Sequence, residues 1–136
     1  MTEPRAVIDR IVMSANAHDL DALVECFATE YVNETPAHPL RSFRGREQVR
    51  RNWAAIFAGV PDVTTRVTDT AINGARIWTE WEMQGTRCDG TPHAMAGVVV
   101  FDVAGDQVTS ARFYLEPVER TSGGVDDAVN RFTGAQ

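Results

Sequence analysis

Cysteine is scarce in this chain of 136 residues: Cys26 and Cys88 are the two, and their spacing fits no metal or redox motif. A disulfide framework is therefore excluded, and two free thiols are expected. Histidine is nearly as sparse. No two of His18, His38 and His93 stand at ligand spacing, so no metal site is expected, and nothing in the sequence points to a cofactor. Long apolar runs are missing as well. None reaches the ~20 residues that a spanning helix needs, so no membrane partner is expected. The opening MTEPRAVIDR carries acids early and has no apolar signal core, which points to the cytoplasm. Positive charge is in deficit: 13 Lys and Arg against 19 Asp and Glu give a formal net charge of −6. That balance argues against nucleic acid, because phosphate binding needs a basic face. One basic cluster does occur, at Arg41, Arg44, Arg46, Arg50 and Arg51. It reads either as an anion site or as a solvated helix start with its flanking loop.

What remains is an ordinary globular composition, 43% hydrophobic and 24% charged, in a length that suits one domain with a real core. The chain is organised around residues 75–119. These read as three long antiparallel strands with turns at Gly90 and Gly105. Strand side chains alternate between faces. One face then collects Ile77, Thr79, Trp81 and Met83 from the first strand, His93, Met95, Val99 and Phe101 from the second, and Ala111, Phe113 and Leu115 from the third. The opposite face carries Trp78, Glu80, Glu82, Ala96, Val98, Arg112, Tyr114 and Glu116. Neither pattern is that of a simply solvated face. Helices are expected over the first, and a second copy of the chain over the second.

Upstream, residues 4–17 predict a helix, with Pro4 in its first turn and Val7, Ile8, Ile11, Val12 and Ala15 in one stripe. Asp19 is placed to cap a second helix, LDALVECFA. Tyr31 to Thr35 reads as a short strand stopped by Pro36 and Pro39. A third helix, REQVRRNWAAIFAGV, ends at Pro61 and presents Val49, Trp53, Ile56, Phe57 and Val60 on one face. Residues 63–72 alternate as a strand, and Asn73-Gly74 is a strong hairpin signal. A cone domain over residues 1–120 is expected, followed by a tail, 121–136, in which Val125, Val129 and Phe132 share one side of a short helix.

This order, with "EYVNETP", "FRGREQVRRNWAAIFAGVPDV" and "GTRCDGTP…GVVVFDVAGDQVTSARFYLEP", resembles the SnoaL-like branch of the nuclear transport factor 2-like superfamily over about residues 5–120. The resemblance implies an α+β cone: a strongly bent antiparallel sheet wrapped by three N-terminal helices around an apolar pocket. It also implies dimers through the convex sheet face, here Trp78, Glu80, Ala96, Val98, Arg112 and Tyr114. The superfamily includes polyketide cyclases, ketosteroid isomerases, limonene-epoxide hydrolases and non-catalytic binding modules. The catalytic groups of two of these do not carry over. Where the epoxide hydrolases place an Arg-x-Asp pair and a further Asp, this chain has Trp81, Met83 and Phe113, which cannot position water or protonate an epoxide. Where the isomerases place an Asp base, a Tyr and a protonated Asp, it has Thr35, Ile11 and Met95.

Three groups are left as acid–base candidates. Glu34, on the short strand, would act as a base if buried against Trp53 and Phe57; otherwise it is a solvent-facing acid. His93 shares parity with Met95 and could shuttle protons at a pocket mouth, or be an exposed hairpin residue. Glu116 belongs to the convex face unless a bulge turns it inward, as cyclase relatives with an acid near the end of this strand would suggest. Trp53, Phe57, Trp81, Met83, Met95 and Phe113, with Ile11, Thr35 and Thr79, either line a cavity for a small apolar molecule or fill it as core. The expected function is binding of such a molecule, with cyclase or isomerase chemistry on a single acid–base residue. The alternatives are a non-catalytic binding or dimerisation module and, more weakly, an epoxide hydrolase-like enzyme.

Overall fold

A computed structural model describes residues 3–135. Helix α1 (Pro4–Asn16) buries Val7, Ile8, Ile11 and Ala15, the stripe its sequence spacing sets. It ends where His18 takes a positive φ of 55°, and there Asn16 grips the start of the third strand. Its amide donates to Thr65 O at 2.9 Å and its Oδ1 accepts from Thr65 N at 2.7 Å. Asp19 caps α2 (Leu20–Glu25), with Oδ1 accepting from Ala22 N at 3.1 Å.

Helix α2 is shorter than its apolar spacing predicts, and the strand after it is longer: β1 runs Phe27–Glu34. Phe27 pairs with Val108, whose N–H donates to Cys26 O at 2.8 Å. A ladder bond formed across the sheet there outweighs another helical turn. A 3₁₀ turn (Pro39–Arg41) and the two-residue β2 (Phe43–Arg44) lead to α3 (Arg46–Gly59). Four long strands follow: β3 (Thr64–Asn73), β4 (Arg76–Thr86), β5 (Pro92–Ala104) and β6 (Gln107–Pro117).

They form one six-stranded sheet in the order β2-β1-β6-β5-β4-β3. All neighbours are antiparallel except β1 and β6, a parallel pair that the sequence did not reveal. Gly74 and Gly105 supply the positive φ of the two tight hairpins. The sheet bends around α1, α2 and α3, and the main core lies between them, joining Val7, Ile8 and Leu23 to Ile77, Phe101 and Val108. The fold is therefore the expected α+β cone. Beyond it a glycine-bearing link leads to α4 (Val125–Thr133), which buries none of its residues. Among the described residues no helix is long and apolar enough to cross a membrane.

Candidate functional site

The concave side of the sheet and the facing helices leave a cavity of about 420 Å³, within the range of small-molecule sites. Four elements build most of its wall. Ile11 comes from α1, Val49, Trp53 and Ile56 from α3, Trp81 and Met83 from β4, and Met95, Val99 and Phe101 from β5. Phe113 and Leu115 of β6 continue it. The alternation of β4 explains why this face is apolar: Ile77, Thr79, Trp81 and Met83 are all buried, while Trp78, Glu80 and Gln84 are exposed.

Most residues foreseen as pocket lining do line it: Ile11, Thr35, Trp53, Trp81, Met83, Met95 and Phe113. Two do not. Phe57 stacks on His18, ring centroids 4.6 Å apart, and packs beside Trp53 at 5.6 Å. Thr79 has the right parity but is closed off beneath the wall. Its hydroxyl donates to Val99 O at 2.6 Å and accepts from the Trp81 indole N–H, fixing that ring in place.

The acid–base candidates separate clearly. Glu34 is exposed and absent from the cavity wall, because β1 alternates Tyr31 and Asn33 inward and Glu34 outward, opposite Arg112. Glu116 keeps the outward parity of β6. No register shift occurs near it, so the bulge that would turn it inward is not formed. Its Oε1 instead meets His38 Nε2 at 2.9 Å and ties the loop after β1 to the end of β6. Only His93 of the three lines the cavity. Its Nε2 lies 3.3 Å from Met83 Sδ. Burial, aided by the positive charge of Arg87, holds its pKa below the ordinary histidine value, so the ring is neutral at pH 7.

Sequence reasoning passed over the polar group deepest in the cavity. Tyr31, 1% exposed, donates to Asn33 Oδ1 at 2.8 Å, and Asn33 Nδ2 reaches toward Thr35 Oγ1 at 3.4 Å. Burial raises the Tyr31 phenol far above its usual pKa, so it remains a neutral hydrogen-bond donor. The signal that could have found this array was the strand period itself, which puts Tyr31, Asn33 and Thr35 on one face. Arg41, from the 3₁₀ turn, and Asn52, from α3, complete the lining. Neither Asp nor Glu is part of it. Of the rest of the basic cluster, Arg44 is exposed and absent from the cavity wall, and the other three are engaged outside it. Arg50 pairs with Asp21 at 2.7 Å, Arg51 with Gln48 at 2.5 Å, and Arg46 donates to Phe27 O at 3.4 Å.

Comparison with known proteins places this geometry. Residues 8–111 match the SnoaL-like domain. No curated protein sequence matches the chain. Among solved structures, IdmH, a candidate polyketide cyclase from Streptomyces antibioticus, is 22% identical with a TM-score of 0.73, over 85% of this chain and 93% of that one. A Mycobacterium tuberculosis protein in complex with estradiol-17β-hemisuccinate is 18% identical, TM-score 0.71, over 83% and 94%. An epoxide hydrolase of limonene-epoxide-hydrolase type from the same organism is 15% identical, TM-score 0.71, over 83% and 82%. At these identities the structures share a fold with this chain.

Proposed function

Because the chain belongs to the SnoaL-like domain family, we propose that it binds a small, largely apolar molecule inside the cone. The observation that carries this reading is the cavity of about 420 Å³, walled by Trp81, Met83, Phe101 and Phe113 and left unfilled by them. The steroid hemisuccinate held by one structural neighbour is a molecule of this general kind. The Tyr31–Asn33–Thr35 array would orient a polar atom of the ligand, as a few placed polar groups do in apolar pockets. The test is titration with the neutral dye Nile red, followed by quenching of Trp53 and Trp81. Saturable binding that Met95→Trp abolishes, with the circular dichroism unchanged, is the expected result. Binding indifferent to Met95→Trp would refute it.

A second reading has its own observation. His93 lines the cavity as a neutral imidazole, the form a general base requires. On this reading the protein runs a cyclase- or isomerase-type proton transfer with His93 as the single acid–base residue. Glu34 and Glu116, outside the cavity, have no part in it. His93→Gln should then abolish turnover of a bound substrate while leaving its affinity nearly intact. Unchanged turnover in that variant would return the protein to a pure binding role.

We also infer that a second copy covers the convex sheet face, where Trp78 is 43% and Tyr114 41% exposed. Sedimentation of the wild type and of Trp78→Glu over a concentration range checks this. A wild type that stays monomeric would rule it out.

A further inference from the structure

Resting on the binding reading above, we infer that the ligand carries a carboxylate and that Arg41, assisted by Asn52, receives it at the cavity mouth. The cavity is apolar over most of its wall, yet it includes one guanidinium and no acid. Among the described residues no carboxylate pairs with Arg41 and no side-chain hydrogen bond engages it. Arg46 and Arg50 are both committed to protein groups, and Arg44, exposed, is not part of the cavity wall. Glu116, the acid that reaches the same loop, is held by His38 at 2.9 Å.

Arg41 is also held in place. Its N–H donates to His38 O at 2.9 Å, and Thr35 N donates to Ser42 Oγ at 3.0 Å, so the loop is closed at both ends. Asn52 comes to the same cavity from α3. Its Oδ1 already accepts from Gln48 Nε2 at 2.8 Å, which leaves the amide N–H₂ as its free function. The two side chains therefore offer donors only, and an acceptor-only, negatively charged group is their complement. Both are exposed, so the ligand's charge stays hydrated at the rim while its apolar body enters. That division avoids the cost of burying a charge.

The test is calorimetry at low salt with 2-naphthoate and its neutral counterpart 2-naphthamide. The wild type should prefer the acid by about twofold to fivefold, the scale of one partly exposed charge pair. Arg41→Gln should erase the preference, Arg41→Lys should restore part of it, and 1 M salt should weaken it in the wild type, since the screening length there is about 3 Å. Equal affinity for acid and amide would overturn the inference while leaving the binding reading standing. So would a preference that survives Arg41→Gln. Failure of both probes to bind the wild type would overturn the binding reading and this inference with it.

Discussion

Strands β4, β5 and β6 have two faces built from alternate residues of the same chain, and the two faces solve opposite problems. On the concave side the polar atoms of Thr79, Trp81, Tyr31 and Asn33 are satisfied by one another or by buried backbone. The Trp81 indole binds Thr79, Thr79 binds Val99 O, and Tyr31 binds Asn33. On the convex face they are satisfied by charged pairs in contact with water: Arg66 with Glu82 at 2.8 Å, Arg76 with Asp102 at 2.7 Å, and Arg112 over the Trp78 ring at 5.8 Å. Burial makes each concave contact expensive to lose, whereas solvent and salt devalue each convex one. The stability of the cone should therefore reside almost wholly on the side that faces the cavity.

The sharpest form of that contrast is a pair of aromatic deletions. Phe101 is 2% exposed and lies between Trp81 and Phe113, with centroids at 6.1 and 6.4 Å. Phe101→Ala should cost about 3–5 kcal/mol through lost burial and the void left behind. Trp78→Ala, made in the same sheet on the other face, should cost the monomer under about 1 kcal/mol. Urea unfolding of both variants decides the matter, and comparable losses would break the comparison.

Gly97 marks where the two faces share one backbone constraint. It sits in β5 opposite Leu115 with φ of 152°, and an added Cβ would lie 2.1 Å from Tyr114 O. The obstacle is backbone, which cannot swing aside. Gly97→Ala should cost about 2–4 kcal/mol from strain and overlap together. Because Gly97 lies between Met95 and Val99 on β5, both of which line the cavity, the variant should also lose Nile red binding. A fully stable Gly97→Ala protein would show that β5 bends without needing glycine there.

A smaller effect isolates the buried polar array. Tyr31→Phe keeps the ring but leaves Asn33 Oδ1 without its donor inside the cavity. The expected cost is about 1–2 kcal/mol by thermal or urea unfolding. An unaltered midpoint would mean that the array is not part of what holds the concave face together.

These residues also show what was legible in the sequence. Alternation in β4, β5 and β6 assigned Trp81, Met83, Met95 and Phe113 to the cavity side without any fold knowledge, because a period of two leaves no freedom once one residue is placed. The end of α2 was not legible. Phe27 falls four residues after Leu23 and extends the helical stripe, so local spacing favours a helix that the parallel pairing with β6 overrides. Attention to Glu34 followed residue type rather than period. Applying to β1 the alternation used for β4 would have put Asn33 inside and Glu34 outside. Arg41 and Asn52 were legible only as polar residues on a loop and a helix. Their sharing one cavity wall depends on where the loop after β1 comes to lie, which no periodicity encodes.

The smallest expected effect lies on the convex face and is read by pH. Arg76 and Asp102 stand opposite each other in the β4–β5 register. The Asp102 carboxylate takes hydrogen bonds from Arg76 Nε at 2.7 Å and from Ser110 Oγ at 2.8 Å. The Arg76 contact is the main cause that holds the Asp102 pKa below the ordinary value, with partial burial opposing it and Ser110 adding to it. A carboxyl whose pKa is lower folded than unfolded favours the folded state above its unfolded pKa of about 3.9. That contribution is complete at pH 7 and disappears as pH falls from about 4 through the lowered native value. Arg76 is 41% and Asp102 32% exposed, so screening limits the pair to about 0.5–1 kcal/mol. Asp102→Asn should thus lose that amount at pH 7 and converge with the wild type in acid, in urea series run from pH 7 to pH 3. A gap that stays constant across the series would assign the loss to packing instead of to the ionised carboxylate and its hydrogen bonds. A loss at pH 7 as large as that of Tyr31→Phe would show that a convex ion pair can match a buried concave bond, and would remove the asymmetry between the faces.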